Sequence, residues 1–284
     1  LAIYFLGLPF LFMYNVQASI FNALGDSKKP LYLLIFSSLL NIVLDMILVI
    51  IFKQGIRGVA LATLIAQGIS AVISFLLLMR KLKGYRAEEP VRLYSGEMAV
   101  SMVKIAVPST LQQSIVHIGI LLVQSVINSF GSTAIAGYSA GMRIESLSIV
   151  PMLAMGNAMS TFTAQNMGAG KIDRVKEGYR MCYVIVLTAG AVLCVMYQLA
   201  GGAFVFLDSG SSEAYSVGLS YVKFLSFFYS FIGLKASTDG LLRGAGDVTA
   251  FTVANLVNLA IRVSVTNLFA PVYGIQVAWM AVPL

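Results

Sequence analysis

The chain has 284 residues, 58% hydrophobic and 11% charged, with a mean hydropathy of +0.87; an average soluble domain carries about 25% charged residues, so a soluble fold is excluded and a membrane protein expected. Apolar stretches of about 20 residues or more recur along it, too long for barrel strands of about 9 to 11 residues, so the spans are helices, which satisfy their own backbone hydrogen bonds in hydrocarbon. The net charge of +7 does not point to nucleic acid, because the basic residues gather in the breaks between apolar runs, where they set topology.

The chain opens on LAIYFLGLPFLF, with no charged n-region or cleavage site of a signal peptide. It closes on YGIQVAWMAVPL, about half a spanning length. An internal piece of a longer polytopic protein is expected. Eight full spans are predicted, at about 1–24, 30–52, 58–80, 99–130, 134–167, 177–200, 214–244 and 248–270, with a partial one from 272. The first ends in ALGDSKKP, residues 23–30, and the third in the longest polar break, RKLKGYRAEEPVRLYSGEM, residues 80–98, which can form no core and reads as a linker between two bundles. Cys182 and Cys194 lie twelve positions apart in the sixth span and read as buried, reduced thiols. The seventh ends in LLRGAGD, residues 241–247.

Counting basic residues on alternate breaks puts Lys28, Lys29, Arg80, Lys81, Lys83, Arg86, Arg92, Lys171, Arg174, Lys176, Arg180 and Arg243 on one side and Lys53 and Arg57 on the other. The first side is expected to be cytoplasmic. Laying Gly25-Asp26 on Gly246-Asp247 puts Asn41 on Arg262 and, with one residue of slack, Gly55-Ile56 on Gly274-Ile275. This reads as two parallel copies of a three-helix unit, one of the repeat architectures of secondary transporters. The plainer reading of the turn alone is that Gly supplies a left-handed cap and Asp caps the next helix.

A family resemblance rests on Gln165, Asn166, Gly168, Ala169 and Gly170, followed by the basic turn of Lys171, Arg174 and Lys176. It is supported by LRGAGD at 242–247, ALGDSKKP at 23–30, NIVLD at 41–45, GIRGVALAT at 55–63 and INSFGS at 127–132. In these elements and their order the chain resembles the multidrug and toxic compound extrusion (MATE) transporters. The resemblance implies an all-α polytopic fold of two helical lobes related by a pseudo-twofold repeat, the first lobe incomplete. Residues 1–82 would be the last three helices of the N-terminal lobe, 83–98 the cytoplasmic linker and 99–284 the C-terminal lobe with its final helix truncated. An acid that takes part in cation coupling on the family's first helix has no counterpart among the residues present.

Ionisable groups within spans cost about 2.5 to 3.5 kcal/mol at the centre of an inserting helix and are functional candidates by default. Lys235 and Asp239 stand at i, i+4, share a face and can neutralise each other. A cation or proton could compete for that carboxylate, or the pair could hold helices in register. Many family members carry the acid of this helix further from the turn arginine, where this chain has Ile232. Glu145 falls close to the bilayer midplane, as a coupling or substrate-facing acid or half of an interhelical salt bridge, and Arg143, two positions away, points elsewhere. Asp45 and Arg262, in the outer halves of equivalent helices, read as structural. His117, accompanied by Gln112, Gln113 and Gln124, follows Pro108, which can open the helix backbone towards a wet cleft. A histidine there could relay a proton or simply pack. The 17 Phe, 13 Tyr and 13 Met suit an adaptable cavity for flat organic cations.

No enzyme is expected: one histidine excludes HExxH, no Cys-His metal spacing occurs, and MGAGKI at 167–172 lacks the first Gly and the Ser or Thr of a phosphate loop. An ion channel fits less well than a transporter, since neither a charged ring nor a filter segment is visible. The resemblance thus implies secondary active efflux of small organic cations by alternating access, coupled to H+ or Na+, without a cofactor, in the plasma membrane, by a full-length monomer. A lipid-linked-precursor flippase of the same superfamily is the alternative.

Overall fold

The computed structural model describes residues 2–85, 94–206, 212–274 and Trp279, and no strand occurs among them. Helix α1 (Ala2–Ala23), α2 (Lys28–Asp45) with a π-helical continuation (Met46–Ile51), and α3 (Gly55–Leu82) with a short 3-10 turn (Lys83–Tyr85) belong to one compact unit, residues 1–93. A second unit, residues 94–284, holds α4 (Gly96–Asn128), α5 (Ser132–Gly168), α6 (Ile172–Phe206), α7 (Ser212–Ser226), α8 (Tyr229–Ala245) and α9 (Val248–Tyr273). Seven of the described helices are long and apolar enough to cross a membrane, or eight spans when α7 and α8 are counted as one. The fold is therefore all-α and polytopic.

Packing follows lipid-phase logic, in which small residues let helices approach and large apolar ones face outward. The buried face of α3 is Gly58, Ala62, Ala66, Ser70, Ala71, Ser74 and Leu78, while Ile56, Leu76 and Met79 are exposed. In the second unit α5 lies against α7 and α8 along a line of glycines. A Cβ on Gly137 would come 2.5 Å from the Ala214 carbonyl, and one on Gly156 2.5 Å from the Ala236 carbonyl. Side chains on Gly240 or Gly244 would collide with the carbonyls of Gly156 and Ser160. Backbone touches backbone along this seam, which sets the depth of everything between the helices.

The span expected over 214–244 is bent: α7 and α8 meet at 56°. Neither Gly nor Pro stands at the break. Instead the amides of Phe227 and Phe228 reach back only three residues, to the carbonyls of Phe224 (3.4 Å) and Leu225 (2.9 Å). The carbonyl of Lys223, left without a helical partner, accepts from Ser226 Oγ at 2.7 Å and from Gln198 Nε2 of α6 at 2.9 Å. A broken helix is tolerated in a membrane where neighbouring side chains re-satisfy the freed groups in this way. Pro108, expected to open its helix, sits inside an unbroken α4.

Three helix ends share one device. Gly25, Gly170 and Gly246 have φ of 74°, 70° and 80°, and the next amide donates back five residues, Asp26 to Phe21 (2.9 Å), Lys171 to Asn166 (2.8 Å) and Asp247 to Leu242 (3.0 Å). This is the Schellman cap, which needs the left-handed conformation that glycine adopts without strain. Half of the expected linker, residues 86–93, and most of the expected partial helix lie outside the described residues. Cys182 is buried and meets Ser237, whereas Cys194 is only half-buried, because α6 presents it towards the α7–α8 break.

Candidate functional site

Two polar clusters lie in the second unit. The first forms at the end of α8 that carries the Gly246 turn. Lys235 Nζ stands 2.9 Å from Asp239 Oδ2, one helical turn on, and 2.7 Å from Asn255 Oδ1 on α9. Asn255, itself buried, donates to Asp239 Oδ1 at 3.2 Å and to the Phe251 carbonyl at 2.9 Å. The Asp247 cap starts α9 beside α8, so Asn255, two turns into α9, meets the Lys235–Asp239 face. One turn further along α8, Arg243 donates to the Asp239 carbonyl (3.4 Å) and to Asn157 Oδ1 on α5 (3.3 Å), its guanidinium 5.6 Å from the Phe251 ring centre. With Gln113 of α4 and Gly156 of α5, these groups line a cavity of about 230 Å³.

The second cluster surrounds Glu145, on the face of α5 that also buries Tyr138, Gly141, Ile144 and Ser148. Glu145 is 8% exposed and accepts a hydrogen bond from the Tyr221 hydroxyl of α7. Gly141 makes room for that phenol: a Cβ there would strike the ring. Tyr221 is flanked edge-on by Tyr138, centroids 5.2 Å apart, and by Trp279 at 5.7 Å. Ser148 and Tyr197 share a hydrogen bond of 2.6 Å one turn below. The charge of Arg262 on α9 reaches Glu145, and its Nε is buried with no hydrogen bond among the described residues. A buried carboxylate held by one phenol, with a cation in electrostatic reach, is a group whose pairing changes if a proton or metal cation arrives.

Of the residues expected from sequence, Lys235, Asp239 and Gln113 come together at the first cavity, and Glu145 stands apart, about 16 Å further along α5 at 1.5 Å per residue from Gly156. Arg143 is exposed on another side of α5. His117 is exposed on α4 and joins neither cluster; the Gln112 side chain lies outside the described residues. Tyr221, Asn255 and Arg243 belong to the clusters and were not singled out as site residues. The available signal was weak: each is a polar group in or near an apolar span, but its partner is many residues away.

The first unit holds a cavity of about 240 Å³, lined by Tyr14, Asn41, Thr63, Gln67 and Ser70 among others. Asn41 Nδ2 lies 3.5 Å from Thr63 Oγ1, and the buried Ser70 hydroxyl has no hydrogen bond among the described residues. The cavity's polar groups are neutral amides and hydroxyls, set beside Leu11, Leu34 and Ala66.

Two family models match the chain. The MatE family model matches residues 108–268, and a model for the lipid II flippase MurJ matches residues 1–131. The chain is 32% identical over 276 residues to the probable multidrug resistance protein YpnP of Bacillus subtilis, covering 96% of this chain and 61% of that protein. To the probable multidrug resistance protein YoeA of the same organism it is 27% identical over 261 residues, covering 89% and 56%. The solved MATE transporter VcmN of Vibrio cholerae superposes with a TM-score of 0.87 at 21% identity, covering 94% of this chain and 61% of that one, a likeness of fold. The chain thus spans about three fifths of the length of these relatives. With more than half its residues under the MatE model, on a polytopic helical fold, the chain belongs to the MATE family of membrane transporters.

Proposed function

We propose that, within the full-length protein, this chain supplies most of a secondary transporter that exports amphipathic organic compounds, small organic cations among them, in exchange for H+ or Na+. The observation that carries the reading is Glu145: a carboxylate buried in a membrane helix, held by the Tyr221 hydroxyl and within reach of the Arg262 charge. Such a group is expensive to bury and is retained where its charge state is used. The names of the relatives, multidrug resistance proteins, support the cargo class.

The mechanism follows from the geometry. A proton or cation arriving at Glu145 cancels its charge, weakens its hold on Tyr221 and alters the balance with Arg262. Because Tyr221 sits on α7, just before the break at Phe227 and Phe228, that change is delivered to a helix already divided into two segments. A ligand biases an equilibrium only by its differential affinity for the two states, and the broken helix offers two states to bias. Lys235 and Asp239 line a cavity on the other segment, α8, where they pair with each other and not with a cargo's positive charge. Residues 1–82 act as the last three helices of the N-terminal lobe, 83–98 as the cytoplasmic linker and 99–284 as the C-terminal lobe, in the plasma membrane of a monomeric transporter. The distribution of basic residues supports that orientation.

A second reading, flipping of a lipid-linked precursor, is favoured by the MurJ match over residues 1–131. One experiment separates them: everted vesicles carrying the full-length protein, with an imposed proton or sodium gradient and a fluorescent organic cation as cargo. Gradient-driven uptake into wild-type vesicles, reduced at least tenfold by Glu145→Gln and less by Asp239→Asn, is the expected result. A tenfold loss corresponds to about 1.4 kcal/mol of coupling. Equal uptake by wild type and Glu145→Gln would remove Glu145 from the mechanism, and absence of gradient-driven uptake in wild type would favour the flippase.

A further inference from the structure

We infer that the cavity bounded by Lys235, Asp239, Arg243 and Gln113 binds an anionic group, the phosphate, sulfate or carboxylate head of an amphiphile. The inference goes beyond the export reading and does not depend on Glu145. It rests on the charges that line the cavity, two cations against one carboxylate. Asp239 accepts from Lys235 on one oxygen and from Asn255 on the other. Asn255 spends both N–H groups on Asp239 and the Phe251 carbonyl and accepts from Lys235 on its oxygen. Donors remain free on both cations. Lys235 uses two of its three protons. Arg243, exposed at the rim, places N–H groups on the Asp239 carbonyl and Asn157, and no carboxylate pairs with its charge among the described residues.

Two cations face one carboxylate already shared between two donors, so an entering cation meets excess positive charge and an entering anion neutralises it. The guanidinium is suited to the task, because its planar fork presents paired donors that match the oxygens of a phosphate or carboxylate. Phe251 beneath Arg243 keeps the fork at the cavity mouth. Val116, Leu153 and Phe251 supply apolar wall, and about 230 Å³ accommodates a headgroup with the first part of its chain. The head could belong to an anionic membrane lipid or to a free anionic amphiphile that the transporter carries.

The test measures binding to the full-length protein in detergent, by native mass spectrometry and without any gradient, so that its outcome is separate from transport. The probes are dodecyl phosphate, dodecyltrimethylammonium and dioleoyl phosphatidylglycerol, with dioleoyl phosphatidylcholine as background. Dodecyl phosphate is expected to bind about tenfold tighter than dodecyltrimethylammonium, and Arg243→Gln to abolish that preference, as one lost charge-assisted bond would. If Arg243→Gln weakens phosphatidylglycerol but not dodecyl phosphate, the occupant is a lipid headgroup; if it weakens dodecyl phosphate, a free anionic amphiphile is accepted; if it weakens neither, the inference falls. Asp239→Asn gives an independent arm should Arg243→Gln not fold. By releasing Lys235 and removing the carboxylate it should tighten dodecyl phosphate severalfold, and unchanged or weaker binding would overturn the assignment.

Discussion

The turns at Gly25-Asp26 and Gly246-Asp247 have the same backbone and put their acids to different uses. Each glycine is left-handed, at 74° and 80°. Each glycine amide donates three residues back, at 3.0 and 3.1 Å, and each aspartate amide five residues back, at 2.9 and 3.0 Å. Beyond the backbone the two part. Asp247 turns inward along the chain and accepts from the Ala250 amide at 3.0 Å, capping α9. Asp26 leaves the cap of α2 unmade and reaches Lys81 near the end of α3 at 2.5 Å, with Lys29 at 3.2 Å. The same local pattern therefore yields the same chain reversal, while the neighbour that happens to be within reach decides whether the acid is a cap or a tether.

The sharpest way to separate the copies lies two residues before the shared glycine, where Gly244 in the second turn corresponds to Ala23 in the first. Gly244 rests on the α5 backbone at Ser160, whereas Ala23 is exposed. Gly244→Val should destabilise the full-length protein by about 3 kcal/mol through overpacking against a backbone that cannot yield, and Ala23→Val by no more than about 0.5 kcal/mol. Thermal melting in detergent reads both. Similar losses in the two variants would mean that the α5–α8 seam is not closed in the folded protein.

Replacing the shared glycines tests their equivalence directly. Gly25→Ala and Gly246→Ala should each cost about 1 to 2 kcal/mol, the penalty of a left-handed alanine. At Gly246 nothing lies within 4 Å of the added Cβ, so the cost there is conformational and not steric. Melting losses that differ by more than about 1 kcal/mol would show that the copies carry different strain.

The smallest effects come from the acids. Asp247→Ala should lower stability by about 1 kcal/mol, the loss of a helix cap. Asp26→Asn should show its effect as a pH dependence. The Lys81 hydrogen bond, followed by that of Lys29, holds the Asp26 carboxyl below its ordinary 3.8. A lowered native pKa contributes stability that is complete above the unfolded value and lost as pH falls through the native one. The melting gap between wild type and Asp26→Asn should therefore be full at neutral pH and close below pH 3.8. A gap that persists undiminished in acid would exclude the Lys81 tether as its source.

Much of this could be read along the chain. The spans follow from apolar runs of bilayer length, the turns from glycines followed by an acid or a lysine, and the Lys235–Asp239 pair from its i, i+4 spacing, all of which depend on residues a few positions apart. The break at Phe227 and Phe228 could not, because FLSFFYSF contains no breaker; it is completed by Gln198, on another helix. Nor could the partner of Glu145, since Arg143 was near in sequence while Tyr221, 76 residues away, was near in space.

What the sequence by itself determined is which apolar runs become helices and where the glycine-capped ones end, for hydrogen bonding in hydrocarbon and the left-handed freedom of glycine act locally. Only the tertiary structure decided which partners the charged groups meet: Glu145 with Tyr221, Lys235 and Asp239 with Asn255, Asp26 with Lys81. The physical reason is that buried polar side chains are satisfied by whatever helix face the small-residue seams bring within about 3 Å, and that proximity is a property of packing, not of spacing along the chain.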